Sequence, residues 1–126
     1  MYKTLIVDDD AAVLLTLKML FQARHFEVVT AGSAAEAMKK IAAEYFDLVV
    51  TDMRMETHTS GFDVVRATKK RVDSAIVVIL SAYPIPPADW REAGADGMFI
   101  KGGGSFAMID QIEHLLEEHL HERTAS

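Results

Sequence analysis

The chain contains no cysteine. That excludes disulfide staples, zinc–thiolate centres and cysteine nucleophiles, and it fits a reducing, cytoplasmic setting. Proline is scarce too. All three prolines fall in one stretch, Tyr83-Pro-Ile-Pro-Pro87, a rigid segment that cannot be helical throughout. No long hydrophobic run is present. The N-terminus MYKTLIVDDD turns acidic after a few apolar residues, so it is neither a signal peptide nor a membrane span. Positive charge is in deficit, and a net charge of −6 argues against direct nucleic-acid binding through phosphate contacts. No internal repeat, low-complexity tract or interdomain linker breaks the chain.

What remains is a globular balance, half apolar and a quarter charged, in 126 residues. This length suits one domain, with residues 1–122 as the folded body and 123–126 as a tail. A chain of this size buries roughly two-thirds of the surface it exposes when unfolded, so it needs no staple.

Short apolar runs alternate with helical patterns. Leu5 to Val7 reads as a strand that stops at Asp8. A helix follows, capped by Asp10, with Val13, Leu14, Leu17, Leu20 and Phe21 on one face. Phe26 to Thr30 reads as a second strand. Ser33-Ala-Ala-Glu36 is a capping-box pattern that opens a helix with Ala37, Met38, Ile41 and Ala42 inward. Leu48 to Thr51 is a third strand, ending at Asp52. A third helix carries Phe62, Val65 and Thr68 on one side. Ala75 to Leu80, the most apolar run, ends at Ser81. Only a short helix fits near Ala88 to Ala93. Met98 to Ile100 is a fifth strand ending at Lys101. After Gly102-Gly-Gly104, Ser105 is the cap of a last helix whose inner face is Met108, Ile109, Ile112, Leu115, Leu116 and Leu120. Continuous apolar strands joined by helical crossovers imply a parallel sheet covered on both faces.

In such sheets ligands bind beyond the carboxyl ends of the strands. Here those ends carry Asp8 and Asp9, Asp52, Ser81 and Lys101. Crowded carboxylates repel unless a cation joins them. Mg²⁺ prefers oxygen ligands and bridges carboxylate to phosphate. A carboxylate can attack phosphorus to form an acyl phosphate, and an ammonium and a hydroxyl can stabilise the charge on the transferring group. Alone, Asp8 and Asp9 could be a helix cap, Asp52 a cap or turn residue and Ser81 a structural strand-end serine; the set is specific.

At this point the chain resembles the receiver domains of two-component response regulators. The matching stretches are LIVDDD (5–10), LVVTDMRM (48–55), SGF (60–62), VVILSA (77–82) and GADGMFIK (94–101). The resemblance implies a flavodoxin-like five-stranded parallel sheet, order 2-1-3-4-5, with helices on both faces, and the proline-rich segment shortens the fourth helix relative to the family. It implies Asp52 as phosphoacceptor, and a Mg²⁺ site from Asp8, Asp9, Asp52 and the backbone carbonyl of Arg54. Asp9 would be the direct ligand and Asp8 would act partly through water. Ser81 matches the switch hydroxyl and Lys101 the lysine that pairs with a phosphoryl oxygen. Arg54 and Tyr83 border the route of the attacking water and tune the lifetime of the acyl phosphate. The implied partners are a histidine kinase or phosphotransfer protein as donor, and a downstream effector or a second copy of the chain as reader. Such a domain is a signalling module that assists its own phosphorylation and dephosphorylation, not an enzyme in the ordinary sense.

The sequence departs from the family in places. Glu56 stands where proline is usual and adds a negative charge beside the site. The loop from Asp52 to Gly61 is one residue longer. Gly102 replaces the proline after Lys101. Met98 replaces the aromatic residue that usually couples to the switch hydroxyl, leaving Tyr83 or Phe99 as substitutes. Two other readings follow. One is a degenerate receiver acting as a phosphorylation-independent docking or dimerisation module. The other is a Mg²⁺-dependent phosphohydrolase, which would carry a second aspartate at the position of Arg54. No DNA-binding, kinase or cyclase module is read here, whether the chain stands alone or is a piece of a longer regulator. The histidines His114, His119 and His121 read as a solvated helix face, His58 as an exposed loop residue, the methionines mostly as core packing, and Trp90 as packing against the sheet.

Overall fold

The computed structural model describes residues 1–71 and 75–125, with the backbone alone for Ser105 and residues 120–125. Five apolar runs become strands β1 (Lys3–Val7), β2 (Glu27–Ala31), β3 (Leu48–Asp52), β4 (Ile76–Ser81) and β5 (Gly97–Ile100). Between and after them lie α1 (Ala11–Ala23), α2 (Ala34–Ala43), α3 (Ser60–Lys69), α4 (Pro87–Ala93) and α5 (Ser105–Ala125). All strand pairs are parallel and the order is β2-β1-β3-β4-β5. The expected architecture is therefore present.

Strand side chains alternate between faces, and this builds two cores. Leu5, Val7, Val49, Val77 and Ile79 meet Ala37 and Ile41 of α2 and Val64 and Val65 of α3. Ile6, Leu48, Val50, Val78 and Leu80 meet Leu17 and Phe21 of α1 and Ile109, Ile112 and Leu116 of α5. β3 is buried along its whole length, as a central strand covered on both sides must be. Each large apolar side chain so buried contributes about 1.5–3 kcal/mol.

The helix ends follow the local sequence with one change. Asp10 caps α1, accepting from the N–H groups of Ala12 and Val13. Ser33 caps α2 through the Glu36 N–H, but the Glu36 carboxylate accepts from the Gly32 N–H (2.9 Å), so the reciprocal bond of the capping box closes one residue earlier than expected. α4 is short, with proline at its start and Gly94 in the left-handed region (φ 106°) at its end.

Several inward assignments need correction. Met38 is 38% exposed and Ala42 is exposed; both line a groove between α2 and α3 that no other element fills among the described residues. Phe62 is only partly buried, whereas Val64, absent from the expected face, is fully buried. β2 begins at Glu27, because the Phe26 N–H bonds back to Phe21 and its ring packs edge-on against Phe21. Of the methionines, Met1, Met19 and Met38 are exposed, so core packing accounts only for the others. Trp90 does pack against the core, and His114 pairs with Glu118 on the outer face of α5. The proposed capping side chain of Ser105 and the inward placement of Leu120 lie outside the described side chains. Among the described residues, no helix is long and apolar enough to cross a membrane.

Candidate phosphoacceptor site

The three consecutive aspartates after β1 take three separate roles. Asp8 is 1% exposed. Its N–H still donates to Ala31 of β2, and its Oδ1 accepts from the Asp10 N–H (2.9 Å). Asp9 is exposed at the rim. Asp10 turns away to cap α1. The tight turn thus aims one carboxylate inward and leaves the next one open.

Asp52 ends β3 and is 8% exposed. Its Oδ1 accepts from the Met53 N–H (2.9 Å) and lies 3.1 Å from Lys101 Nζ. Among the described residues, its Oδ2 takes no hydrogen bond. The backbone around it is held firmly. Thr51 Oγ1 donates to the Asp52 carbonyl (2.9 Å). The Met53 N–H also donates to Leu80 of β4, and Gly61 N–H donates to the Met53 carbonyl at 2.8 Å. A Cβ at Gly61 would stand 2.7 Å from the Asp52 carbonyl oxygen and 2.8 Å from Met53 Cα. Glycine is required there because α3 starts against the Asp52–Met53 backbone.

Lys101 N–H donates to the Ser81 carbonyl (2.8 Å), which brings the end of β5 beside β4. Its ammonium then reaches across to Asp8 Oδ2 (2.9 Å) as well as to Asp52. Burial works against the Lys101 charge, but the hydrogen bonds and charges of Asp8 and Asp52 outweigh it and raise its pKa. Burial, then the charge of Asp8, holds the Asp52 carboxyl above the usual aspartate range, with Lys101 and the Met53 N–H opposing. One carboxylate oxygen from each of Asp8, Asp9 and Asp52 lies within 4.8 Å of the others. Such a hard, all-oxygen donor set fits a magnesium-type ion.

Ser81 sits at the end of β4, 6% exposed, and its Oγ accepts from the Tyr83 N–H (3.2 Å). The Arg54 guanidinium lies over the Tyr83 ring, 5.6 Å from its centroid. These two form an outer wall, with Tyr83 64% exposed. Met98 packs on the α2–α3 face and Phe99 on the α1–α5 face, so Phe99 is on the opposite side of the sheet from the residue it was expected to replace.

Sequence reasoning missed two contacts. Thr51 as a brace was signalled only by a lone hydroxyl in an apolar run. Glu56 does not add its charge to the site. Both its carboxylate oxygens accept from the Ala34 N–H at the start of α2 (3.2 and 3.1 Å), a favourable place for a negative charge.

Comparison with known proteins agrees with this geometry. The family model for the response regulator receiver domain matches residues 4–113. The transcriptional regulatory protein PrrA of Mycobacterium bovis is 31% identical over 98% of this chain and 54% of its own length. GlrR of Escherichia coli is 35% identical over 90% of this chain and 26% of its own. The chain therefore spans about half or less of these curated relatives. A CheY-like receiver domain from Methanospirillum hungatei superposes with a TM-score of 0.86 at 27% identity, covering 97% of this chain and 98% of that one. TrrA from Thermotoga maritima, solved in complex with Mg²⁺-BeF, superposes at 0.81 with 27% identity, covering 91% and 99%. With its order of strands and its cluster of aspartates, the chain belongs to the receiver domains of two-component response regulators.

Proposed function

We propose that this receiver is an active phosphoacceptor, in which Asp52 takes a phosphoryl group in a Mg²⁺-dependent reaction and the modified site switches an output surface. The observation that carries the reading is the asymmetry of the Asp52 carboxylate. Oδ1 is held by Met53 and Lys101, whereas Oδ2 has no hydrogen bond among the described residues. Both oxygens of Asp8 are engaged, by Asp10 and Lys101. Asp52 therefore keeps one oxygen without a hydrogen bond among the described residues and has a cation already beside the other.

Oδ2 attacks the donor phosphorus and forms the new P–O bond. The donor's leaving group departs with the electron pair of the broken bond. Lys101 follows the new charge from the carboxylate to a phosphoryl oxygen, and the Ser81 hydroxyl, now accepting from Tyr83 N–H, donates to another. Asp9, Asp52 and the Arg54 backbone carbonyl would hold the metal, with Asp8 acting partly through water. When bound, Mg²⁺ supplies neutralisation of the carboxylate and phosphoryl charges. Hydrolysis resets the site, as water attacks phosphorus, the Asp52 carboxylate leaves and a proton passes to solvent. The Arg54–Tyr83 wall borders that approach and sets the lifetime. A histidine kinase or phosphotransfer protein in the cytoplasm supplies the group, and a downstream effector or a second copy reads the result.

Incubation with acetyl phosphate, with and without Mg²⁺, tests this by intact mass. An adduct that requires Mg²⁺ and is lost in Asp52→Asn is expected. No adduct would favour the docking-module reading. Steady turnover of generic phosphate esters would favour the phosphohydrolase.

A further inference from the structure

α2 and α3 do not close on one another along their outer faces. An open groove of about 480 Å³ runs between them. Met38, Ile41, Ala42 and Ala67 make an apolar floor, and the bases Arg66, Lys70 and Arg71 stand on its rim with one acid, Asp63. Met38 is a large apolar side chain left 38% exposed there. The charge is as unusual as the shape. Residues 63–71 carry four bases and one acid, a local charge of +3 on a chain whose net charge is −6.

Two of those bases have structural work. Lys69 pairs with Asp96 (2.8 Å) and donates to the Ala75 carbonyl. Arg71 donates to the Ile41 carbonyl (2.6 Å) near the end of α2. Arg66 and Lys70 are exposed, and the contact of Arg66 to Asp63 is long, at 3.5 Å. The groove thus offers apolar contact in the middle and positive charge at the edge.

The groove is also tied to the phosphoacceptor loop. Glu56, four residues after Asp52, holds the first turn of α2 through Ala34. α3 begins at Ser60 and is pinned to Met53 by the Gly61 N–H. Both walls of the groove are therefore anchored to the same short loop, one of them through the Glu56 carboxylate.

We propose that the α2–α3 groove docks an acidic segment of a partner protein carrying an apolar anchor side chain, and that Glu56 couples its occupancy to the state of Asp52. The coupling rests on the phosphoacceptor reading above; the docking does not. Nucleic acid fits less well. Among the described residues only two exposed bases line the rim and no aromatic side chain lines the floor for bases to stack on, and the chain as a whole is acidic. An acidic peptide instead satisfies Arg66 and Lys70 while its apolar side chain covers Met38.

The test is an NMR titration of the isotope-labelled full chain with three probes: a short peptide of glutamate and leucine at helical spacing, the same peptide with lysine for glutamate, and a short DNA duplex. The glutamate peptide is expected to shift Met38, Ile41 and Ala67, with Kd raised about tenfold in the Arg66→Glu, Lys70→Glu double variant. Shifts elsewhere, equal affinity for the double variant, or binding of the lysine peptide or DNA at the groove would overturn the docking. Repeating the titration with Mg²⁺ and beryllofluoride, a phosphoryl stand-in, is expected to change Kd about fivefold in the wild type and not in Glu56→Ala. An unchanged wild-type Kd, or the same change in Glu56→Ala, overturns the coupling. Failure of beryllofluoride to shift Asp52, Ser81 and Lys101 overturns the coupling together with the phosphoacceptor reading and leaves the docking result to stand by itself.

Discussion

Replacing Gly61 by alanine probes how tightly α3 is seated against the end of β3. The new Cβ would lie 2.7 Å from the Asp52 carbonyl oxygen and 2.8 Å from Met53 Cα. Both neighbours are backbone, so neither can rotate away. Ordinary contact starts at 3.4 Å, so α3 must retreat by about 0.7 Å, the difference between the two distances. The 2.8 Å bond from Gly61 N–H to the Met53 carbonyl then stretches. Losing it costs about 1 kcal/mol, and overpacking adds about 1–3 kcal/mol. Alanine's better helix propensity offsets about 0.5–1 kcal/mol. The net loss is about 1–3 kcal/mol, read from equilibrium urea unfolding of the wild type and variant. Gly32→Ala is the control, because its Cβ meets only the far end of the Glu36 side chain at 3.7 Å. Phosphorylation from acetyl phosphate should slow as well, because the Asp52 backbone shifts. A Gly61→Ala protein as stable as the control would refute the reasoning.

Other outcomes follow from the same geometry. Gly102 adopts φ +84°, and a Cβ added there would meet nothing within 4 Å, so Gly102→Ala should cost about 1–2 kcal/mol from backbone strain alone and Gly102→Asn less; equal urea midpoints for all three would contradict this. Lys101→Met removes the cation shared by Asp8 and Asp52 and should slow phosphoryl incorporation by roughly 10²–10³-fold while leaving Mg²⁺ binding measurable; an unchanged rate sinks the role. The Glu36 carboxyl is held below its usual range by the Gly32 N–H first and by Lys40. A depressed folded pKa stabilises above the unfolded value and is lost as pH falls through the folded one. Glu36→Gln should therefore lose stability near neutral pH and match the wild type in acid; a gap that widens in acid contradicts the assignment.

The polar strand ends were legible because apolar runs stop abruptly at Asp8, Asp52 and Ser81, and a parallel sheet brings such stops to one rim. Sheet order came with the family resemblance, and the short α4 from the prolines. Contacts between separate loops were not legible. Nothing local in Glu56 says that its carboxylate meets Ala34, 22 residues earlier in the chain, and the reading that it burdens the site followed from proximity in sequence alone. Met38 and Ala42 failed for a related reason. Helical spacing identifies a face, but only the distance between α2 and α3 decides whether that face is filled. Lys101 was expected at a phosphoryl oxygen, and its bridge from Asp8 to Asp52 depends on the arrangement of three strand ends at once.

The central claim is that the phosphoryl group goes to Asp52 and to no neighbouring carboxylate. Borohydride trapping after reaction with acetyl phosphate and Mg²⁺ converts an acyl phosphate to the alcohol, and peptide mapping then locates it. Homoserine is expected at position 52, and none when Mg²⁺ is withheld. Reduction at Asp8 or Asp9, a phosphoryl group on His58, or no modified peptide from a folded, Mg²⁺-loaded sample would contradict it.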